Sequence, residues 1–241
     1  MNTKQELAYE VAKSLNIKGE FKKRIIDSLV IENEYIKNIS LYALSNPVDP
    51  RVKFEPYAFF NGQQLGRFGE NILAQLLADI NGFKFAHFKE DQKHKDFTCV
   101  YVPEVLPESL QRVLDKFHKE NPNIDVTTPD FFSQELKFKQ GHNNVVGNKA
   151  LFKNKKNKKE QNSFYICINY TINTDNVYPQ IENVQIRFMY IDKEMWSWSS
   201  SGSGASVTFS KFKDRIVGLY DARKYNKRTE KYRLEVHPDF K

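Results

Sequence analysis

Residues 125–141, DVTTPDFFSQELKFKQG, combine acidic, apolar and lysine residues in a pattern typical of a strand with one functional face. From Glu135 onward, apolar residues alternate with charged ones, and successive side chains of a strand point to opposite faces of the sheet. Glu135 and Lys137 are therefore predicted to project together. Asp130 lies an odd number of positions before Glu135, so a turn or bulge within residues 131–134 is needed to bring both carboxylates to one side.

Two carboxylates beside a lysine are groups that phosphodiester hydrolysis can use. Mg²⁺ prefers oxygen ligands and is usually held by one or two carboxylates together with water and substrate phosphate. Asp130 and Glu135 can supply these ligands, and the bound ion would polarise the phosphate and lower the pKa of an attacking water. Lys137 can orient that water or stabilise the charge that develops on phosphorus. The segment therefore predicts a magnesium-dependent catalytic site.

This motif resembles that of the PD-(D/E)xK nuclease superfamily, which includes most type II restriction endonucleases. Pro129-Asp130 matches the PD part, and Glu135-Leu136-Lys137 matches the (D/E)xK part. The resemblance covers roughly residues 62–171 and implies a restriction-endonuclease-like core, in which helices flank a mixed central sheet. In that family the aspartate ends one strand and the rest of the motif lies on the next strand of a hairpin. The gap between the two parts is shorter here than is common in the family.

The resemblance also implies a role for a glutamate that precedes the sheet. The family often places a glutamate on the preceding helix, where it reaches the metal site. Residues 62–83, GQQLGRFGENILAQLLADINGF, have the apolar periodicity of an amphipathic helix, and Glu70 lies within them. Glu70 is accordingly a candidate catalytic residue, although a solvated helix position explains it equally well. Asp96 is an alternative metal ligand if the hairpin pairs differently, and otherwise a turn residue at the start of a strand.

Basic residues are concentrated on both sides of the motif. The net charge of +7 favours a polyanionic partner. Residues 137–159 contain eight lysines and no acidic residue, and residues 223–233, RKYNKRTEKYR, form a second basic cluster. Either cluster alone could be a solvated surface, but together they flank the candidate site. Lysine contacts phosphate and guanine, and asparagine pairs well with adenine. The predicted DNA-binding residues are Lys139, His142, Asn143, Asn144, Lys149, Lys153, Lys155 and Lys156.

The distribution of helices and strands predicts an α/β fold of the mixed, α+β kind. The first 45 residues have helical periodicity, with breaks expected at Gly19 and near Glu32 and Asn33. A proline-containing segment follows, so residues 1–50 are predicted to be a helical extension and residues 51–241 the catalytic domain, unless the whole chain is one domain. Strands dominate the middle and rear of the chain, without a regular βαβ repeat.

Several C-terminal segments have weaker signals. Residues 210–220, SKFKDRIVGLY, are predicted to form a short helix, and residues 232–237, YRLEVH, a last strand. The serine-glycine stretch within residues 196–209 is predicted to be a loop.

Composition excludes several classes of protein. No run approaches the 18 apolar residues of a membrane span, and the N-terminal residues are charged where a signal peptide would be apolar. We therefore expect a cytoplasmic protein without a membrane partner. Cys99 and Cys167 lie in apolar, strand-like runs and are expected to be buried free thiols. The closely spaced Cys and His ligands of a structural zinc site are missing from the sequence.

Together these features predict a Mg²⁺-dependent endodeoxyribonuclease that acts on double-stranded DNA. The size of the chain, with additions on both sides of the core, is typical of a type II restriction endonuclease that cuts at a specific short sequence. A homodimer is expected because a two-fold protein matches a palindromic duplex. Two alternatives stay open: a phage or repair nuclease that recognises DNA structure, and a basic nucleic-acid-binding protein without catalysis, whose ELKFK segment is an ordinary edge strand.

Overall fold

The computed structural model of the chain describes residues 1–16, 19–46, 62–78, 83–85, 98–101, 106–148, 163–198, 204–230 and 233–241. The α-helices in these residues are α1 (Thr3–Leu15), α2 (Glu20–Ser45), α3 (Gly62–Ala78) and α4 (Glu108–Glu120). The strands are β1 (Phe83–Phe85), β2 (Thr98–Tyr101), β3 (Ser133–Gln140), β4 (Asn144–Asn148), β5 (Ser163–Asn173), β6 (Gln180–Ile191), β7 (Ser197–Trp198), β8 (Gly204–Thr208) and β9 (Ile216–Asp221). Of the helices just named, none is both long and apolar enough to cross a membrane.

A six-stranded mixed sheet organises the molecule. Its strand order is β1-β2-β3-β5-β6-β9, in which β3 and β5 are parallel and the other neighbours are antiparallel. Strands β4, β8 and β7 form a second, three-stranded sheet in that order. The predicted mixed α/β class is therefore confirmed, and the second sheet is a feature that the sequence did not predict.

Strand alternation divides the large sheet into two faces with separate cores. Leu136 and Phe138 of β3 belong to a cluster that includes the buried residues of all four helices, such as Leu7 and Ile25. The helices therefore cover one face of the sheet. On the other face, Tyr165, Cys167 and Met189 pack with buried residues of the three-stranded sheet. The side chains of Glu135 and Lys137, which alternate with Leu136 and Phe138, belong to this second face.

Helix α3 lies directly on strand β3. A Cβ atom placed on Gly69 would come within 2.6 Å of the Phe138 ring, and one placed on Gly66 within 2.9 Å of the Phe138 carbonyl oxygen. Real Cβ contacts are essentially never shorter than 3.0 Å. Glycine at these two positions therefore allows the close approach of the helix to the strand that carries Glu135 and Lys137.

The N-terminal helices share the main core with the sheet. Buried residues of α1 and α2 belong to the same cluster as the interior of β5 and β6. The expected break at Gly19 is confirmed, since α1 ends at Leu15 and α2 begins at Glu20. The expected break near Asn33 is wrong, because α2 continues through it. The Asn33 side chain hydrogen-bonds the backbone of Ile181, accepting from its N–H at 2.7 Å. The boundary at residue 50 stays a prediction.

Three C-terminal predictions need correction. Residues 210–220 form 3-10 turns followed by strand β9 rather than a helix. The serine-glycine stretch contributes strands β7 and β8, with residues 199–203 outside the described part. The predicted last strand is reduced to a single bridge between Val236 and Gly218. In the first two cases pairing with a distant strand, rather than local propensity, decides the conformation.

Candidate active site

Glu135 and Lys137 project together from β3, as strand alternation predicts. Lys137 Nζ lies 2.7 Å from Glu135 Oε1, and the two side chains are 14% and 20% exposed, respectively. Partial burial weakens solvent screening, so this ion pair is better held than a pair on the open surface. The pair lies beside the core of the second sheet, at a position that solvent still reaches.

Asp130 precedes this pair on a turn. The turn that its odd spacing from Glu135 requires is a 3-10 helix, Pro129–Phe132, which ends where β3 begins. Phe131 and Phe132 are buried in the main core and fix this turn against the sheet. The described part of Asp130 is its backbone, so the side-chain distance to Glu135 stays a prediction.

The antiparallel partner of β3 is β2, and not the segment that contains Asp130. Thr98 of β2 pairs with Glu135, and Val100 pairs with Ser133. This is the different hairpin pairing under which Asp96 becomes an alternative ligand. Asp96 itself lies outside the described residues, but it stands only two positions before Thr98.

Glu70 lies in a different environment from Glu135. It is buried on α3, and its carboxylate accepts a 3.4 Å hydrogen bond from the backbone N–H of Phe138. Glu32 of α2 is close by: burial and the charge of Glu70 raise the pKa of Glu32 to about 8. Burial and the two glutamates also raise the pKa of Tyr170. The contact with Phe138 joins Glu70 to the helix side of β3, and its role in the metal site stays a prediction.

Cys167 lies beside the ion pair on the neighbouring strand β5. It pairs with Lys137 in the parallel β3–β5 register and is a buried free thiol, as expected. Burial raises its pKa to about 12, against the opposing effect of the nearby Arg187 charge. The group therefore remains a thiol at neutral pH and serves as packing rather than as a nucleophile. The side chain of Cys99 is not among the described side chains, so its expected burial stays a prediction.

The predicted DNA-binding residues separate into three groups. Lys139 donates a hydrogen bond to Asn144, and burial lowers the pKa of Lys139. His142 and Asn143 line a cavity on the far side of β5 from β3. Burial, reinforced by the charges of Arg223 and Arg187, lowers the pKa of His142 to about 4, so its imidazole is neutral at neutral pH. The remaining members, Lys149, Lys153, Lys155 and Lys156, lie outside the described residues.

A buried polar network links the catalytic strand to this cavity. The Asn169 side chain donates to the Gly141 carbonyl at 2.7 Å and accepts from Arg187 Nη1 at 3.0 Å. Arg187 also donates to Gln185 and lies over the Phe209 ring, with its guanidinium carbon 4.5 Å from the ring centre. Sequence reasoning missed Arg187. The available signal was an arginine within the apolar run VQIRFMYI, since a charged residue is rarely fully buried without a specific partner.

The donor atoms of the site suit Mg²⁺ better than a softer metal. Within the described ranges, three His, Cys, Asp or Glu side chains nowhere come together as a metal-binding group. Mg²⁺ needs only one or two protein carboxylates, because water and substrate phosphate complete its coordination. Glu135 offers one carboxylate at a partly exposed position, and Asp130 or Asp96 could supply the second. The residues present therefore fit a magnesium ion held mainly by its substrate.

Comparison with known proteins gives one family match. A family model described as the ScaI restriction endonuclease matches residues 95–220, which is just over half of the 241-residue chain. The matched region contains Asp96, Asp130, Glu135 and Lys137, but not Glu70. No curated protein and no solved structure matches the chain at a significant level. The family match covers most of the six-stranded sheet and the whole second sheet, and the chain belongs to the ScaI restriction endonuclease family.

Proposed function

We propose that this restriction endonuclease is a type II enzyme of the PD-(D/E)xK superfamily, which uses Mg²⁺ to cut double-stranded DNA at a specific short sequence. The observation that carries the proposal is the 2.7 Å pair of Lys137 and Glu135 on the central strand β3. The family match includes that strand and implies a DNA substrate. The (D/E)xK part of the motif separates its carboxylate and its lysine by two positions, and on a strand this spacing puts both groups on one face.

Each residue of the pair has a distinct task in this proposal. When bound, the magnesium ion would lower the pKa of the attacking water and polarise the phosphate. Glu135 would hold the ion, and it keeps Lys137 in place through the ion pair. Lys137 presents its ammonium group to the substrate, where it orients the water or stabilises negative charge developing on the phosphate oxygens. Cys167, buried beside Lys137 on β5, makes that side of the pair apolar.

The second carboxylate comes from Asp130 or from Asp96. Asp130 completes the PD part of the motif and lies on the turn that leads into β3. Asp96 is supported by the β2–β3 register, because Thr98 lies opposite Glu135. Glu70, whose carboxylate accepts from the Phe138 N–H, stays a further candidate.

Site-specific cutting of both strands further implies a homodimer. Helix α2 supplies a surface that suits such an interface, because it exposes large apolar side chains that monomeric proteins seldom expose together. Tyr42 is 71% exposed and Val30 is 57% exposed. The others are Ile31, Tyr35, Leu41 and Leu44. Sedimentation should give a species of twice the 28.3 kDa chain mass, and Tyr42→Lys should shift it toward the monomer. A monomeric wild-type protein that cuts both strands would contradict this part of the proposal.

The decisive test is digestion of a long viral genome and of supercoiled plasmid in the presence of Mg²⁺. A site-specific enzyme gives discrete fragments, and chelation of the metal abolishes them. A structure-specific nuclease would instead give smears, or would cut only forked and junction substrates. A non-catalytic binder would leave every substrate intact while retaining salt-sensitive binding.

Three matched variants test the site within an active preparation. Glu135→Gln should lower the single-turnover cleavage rate by about 100-fold or more, the usual effect of removing a group that stabilises transition-state charge. Asp130→Asn and Asp96→Asn identify the second ligand, because only the true ligand should show a comparable loss. Asp175→Asn is the control, since Asp175 is an exposed carboxylate in the turn between β5 and β6. Undiminished Mg²⁺-dependent cleavage by Glu135→Gln would refute the site.

A further inference from the structure

We propose that the cavity beside Arg187 is a second anion site, which binds a phosphate group of the DNA strand at a distance from the Glu135–Lys137 pair. The cavity has anion-binding chemistry of its own. The inference rests on the proposed function only in naming DNA as the molecule that carries the phosphate. Its volume is about 990 Å³, which leaves room for a nucleotide unit around the phosphate and is typical of a ligand site. The walls are the turn at His142, the start of β9 and the C-terminal segment 233–238.

The guanidinium group of Arg187 is fixed in place, and its charge is not neutralised by an ion pair among the described residues. It is 4% exposed, and among the residues that the structure describes no carboxylate forms an ion pair with it. Its two described partners, Asn169 and Gln185, are neutral, and Phe209 supports the face of the guanidinium group. A guanidinium group has five N–H donors, so hydrogen-bonding capacity remains after these two contacts. The Asp221 carboxylate accepts a 3.2 Å hydrogen bond from Gln185 and favours the charged form of Arg187 without contacting it, so a bound anion would compensate the buried charge more directly.

The remaining charges of the cavity add to this excess. Lys213 and Arg223 line it and, like Arg187, have no ion pair among the described residues. Arg233 is paired with Glu230, Nη1 to Oε1 at 2.8 Å, and therefore contributes little net charge. Apart from Glu230, Glu235 is the acidic residue in the described lining of the cavity. The lining also has three cations without an ion pair, so positive charge is in excess. The cavity therefore attracts an anion, and fixed guanidinium donors favour phosphate, which accepts parallel hydrogen bonds.

The position of Arg187 places this site within reach of the same DNA as the ion pair. Lys137 pairs with Cys167 across β3 and β5, and Cys167 pairs with Arg187 across β5 and β6. The three side chains lie on one face of the sheet, and two strand spacings separate the first from the last, about 10 Å. This is less than the width of the DNA major groove, about 12 Å, so one duplex can contact both sites.

Asn169 fixes the geometry between the two sites. It accepts from Arg187 and donates to the carbonyl groups of Gly141 and Asn144, which follow the end of β3. Asn144 in turn accepts from Lys139. The guanidinium group therefore cannot move far without disturbing the end of the catalytic strand, which makes the cavity a rigid site rather than a surface patch.

The test compares two pairs of basic residues with equal charge. The cavity variant is Lys213→Ala with Arg223→Ala. The control is Arg112→Ala with Lys119→Ala, which removes two exposed cations of α4 that lie outside both basic clusters and do not line the cavity. Binding of a fluorescent duplex to the full chain is measured by anisotropy over a range of KCl concentrations, with Ca²⁺ in place of Mg²⁺ to prevent cleavage. Each lost phosphate contact should flatten the slope of log affinity against log salt by about 0.9. We therefore expect a change of roughly one to two for the cavity variant and no change for the control.

A second measurement separates DNA from a free nucleotide as the source of the phosphate. Thymidine 5′-monophosphate is titrated calorimetrically into the wild type and both variants. Loss of nucleotide binding in the cavity variant alone, with unchanged DNA binding, would support the phosphate site but assign it to a free nucleotide. Equal behaviour of the two variants toward both DNA and nucleotide would overturn the inference, even if the enzyme cleaves DNA. A selective effect in a protein that cleaves nothing would refute the proposed function and leave the inference standing.

Arg187→Lys provides an independent check on the buried guanidinium group. It keeps the charge but removes the planar set of donors, so DNA or nucleotide binding should weaken although the net charge is unchanged. Thermal unfolding identifies a variant that fails to fold, and in that event the surface pair at Lys213 and Arg223 still decides the question.

Discussion

Glu32 makes the stability of this protein depend on pH in a defined direction. The residue is fully buried on α2, and neither of its carboxylate oxygens has a hydrogen-bond partner among the described residues. Burial and the charge of Glu70 raise the pKa of Glu32 to about 8, from a reference value of 4.5. Between these two values the folded protein keeps the proton while the unfolded chain releases it. Rising pH therefore favours unfolding throughout this window.

The magnitude follows from the pKa difference. Each pH unit within the window costs about 1.36 kcal/mol of stability, so the full window corresponds to roughly 5 kcal/mol. Glutamine has nearly the same shape as glutamic acid and does not ionise. The free energy of unfolding of Glu32→Gln, relative to wild type, should therefore increase by about 3 kcal/mol between about pH 5.5 and pH 7.5. Above pH 8 the difference should become constant, because Glu32 then ionises in both states.

Urea unfolding followed by circular dichroism at several pH values measures this difference directly. Glu34→Gln is the matched control, since Glu34 lies two positions further along α2 with an exposed side chain paired to Lys37. Its effect on unfolding should be small and independent of pH. If the difference between Glu32→Gln and wild type is equally constant from about pH 5.5 to pH 9, burial does not hold the proton on Glu32, and the reasoning from desolvation is wrong.

Three further predictions concern the candidate site and its surroundings. Lys137→Ala should slow single-turnover cleavage by about 100- to 10,000-fold, whereas Lys139→Ala should have a small effect because Lys139 is engaged with Asn144; equal rates would mean that this face of β3 has no catalytic role. Replacing three lysines within residues 149–159 by alanine should flatten the salt dependence of DNA binding by roughly two to three units, and an unchanged slope would mark a solvated segment. Gly69→Ala should destabilise the fold by about 1–3 kcal/mol in thermal or urea unfolding, because the new methyl group would overlap the Phe138 ring.

The sequence predicted the parts of the fold that follow a local period. The amphipathic pattern from residue 62 and the alternation from Glu135 both correspond to described elements, α3 and β3. The pair of Glu135 and Lys137 followed from strand geometry alone, because residues two apart share a face whatever the strand is paired with. The mixed fold class was predictable for the same reason.

The parts that the sequence did not predict depend on distant contacts. Asn33 looks like a helix break, but its side chain binds the backbone of Ile181, 148 positions away, so α2 continues. Residues 204–208 look like a flexible glycine-serine loop, but they pair along their whole length with β4. The antiparallel pairing of β2 with β3, which makes Asp96 a serious candidate, likewise depends on a partner more than thirty positions away. No local sequence pattern predicts any of these three contacts.

The contact between Gly69 and Phe138 has a consequence for how mutations of this enzyme should be interpreted. Phe138 stands between Lys137 and Lys139 in the chain, and its ring is pressed against α3 on the opposite face of β3 from the Glu135–Lys137 pair. A side chain larger than hydrogen at Gly69 would push on β3 from behind and tilt both lysines. A screen for loss of cleavage would then group Gly69 with the residues proposed to contact DNA, although Gly69 lies on the other side of β3 from Glu135 and Lys137. Only a comparison of folding with turnover would reveal that such a defect is mechanical in origin.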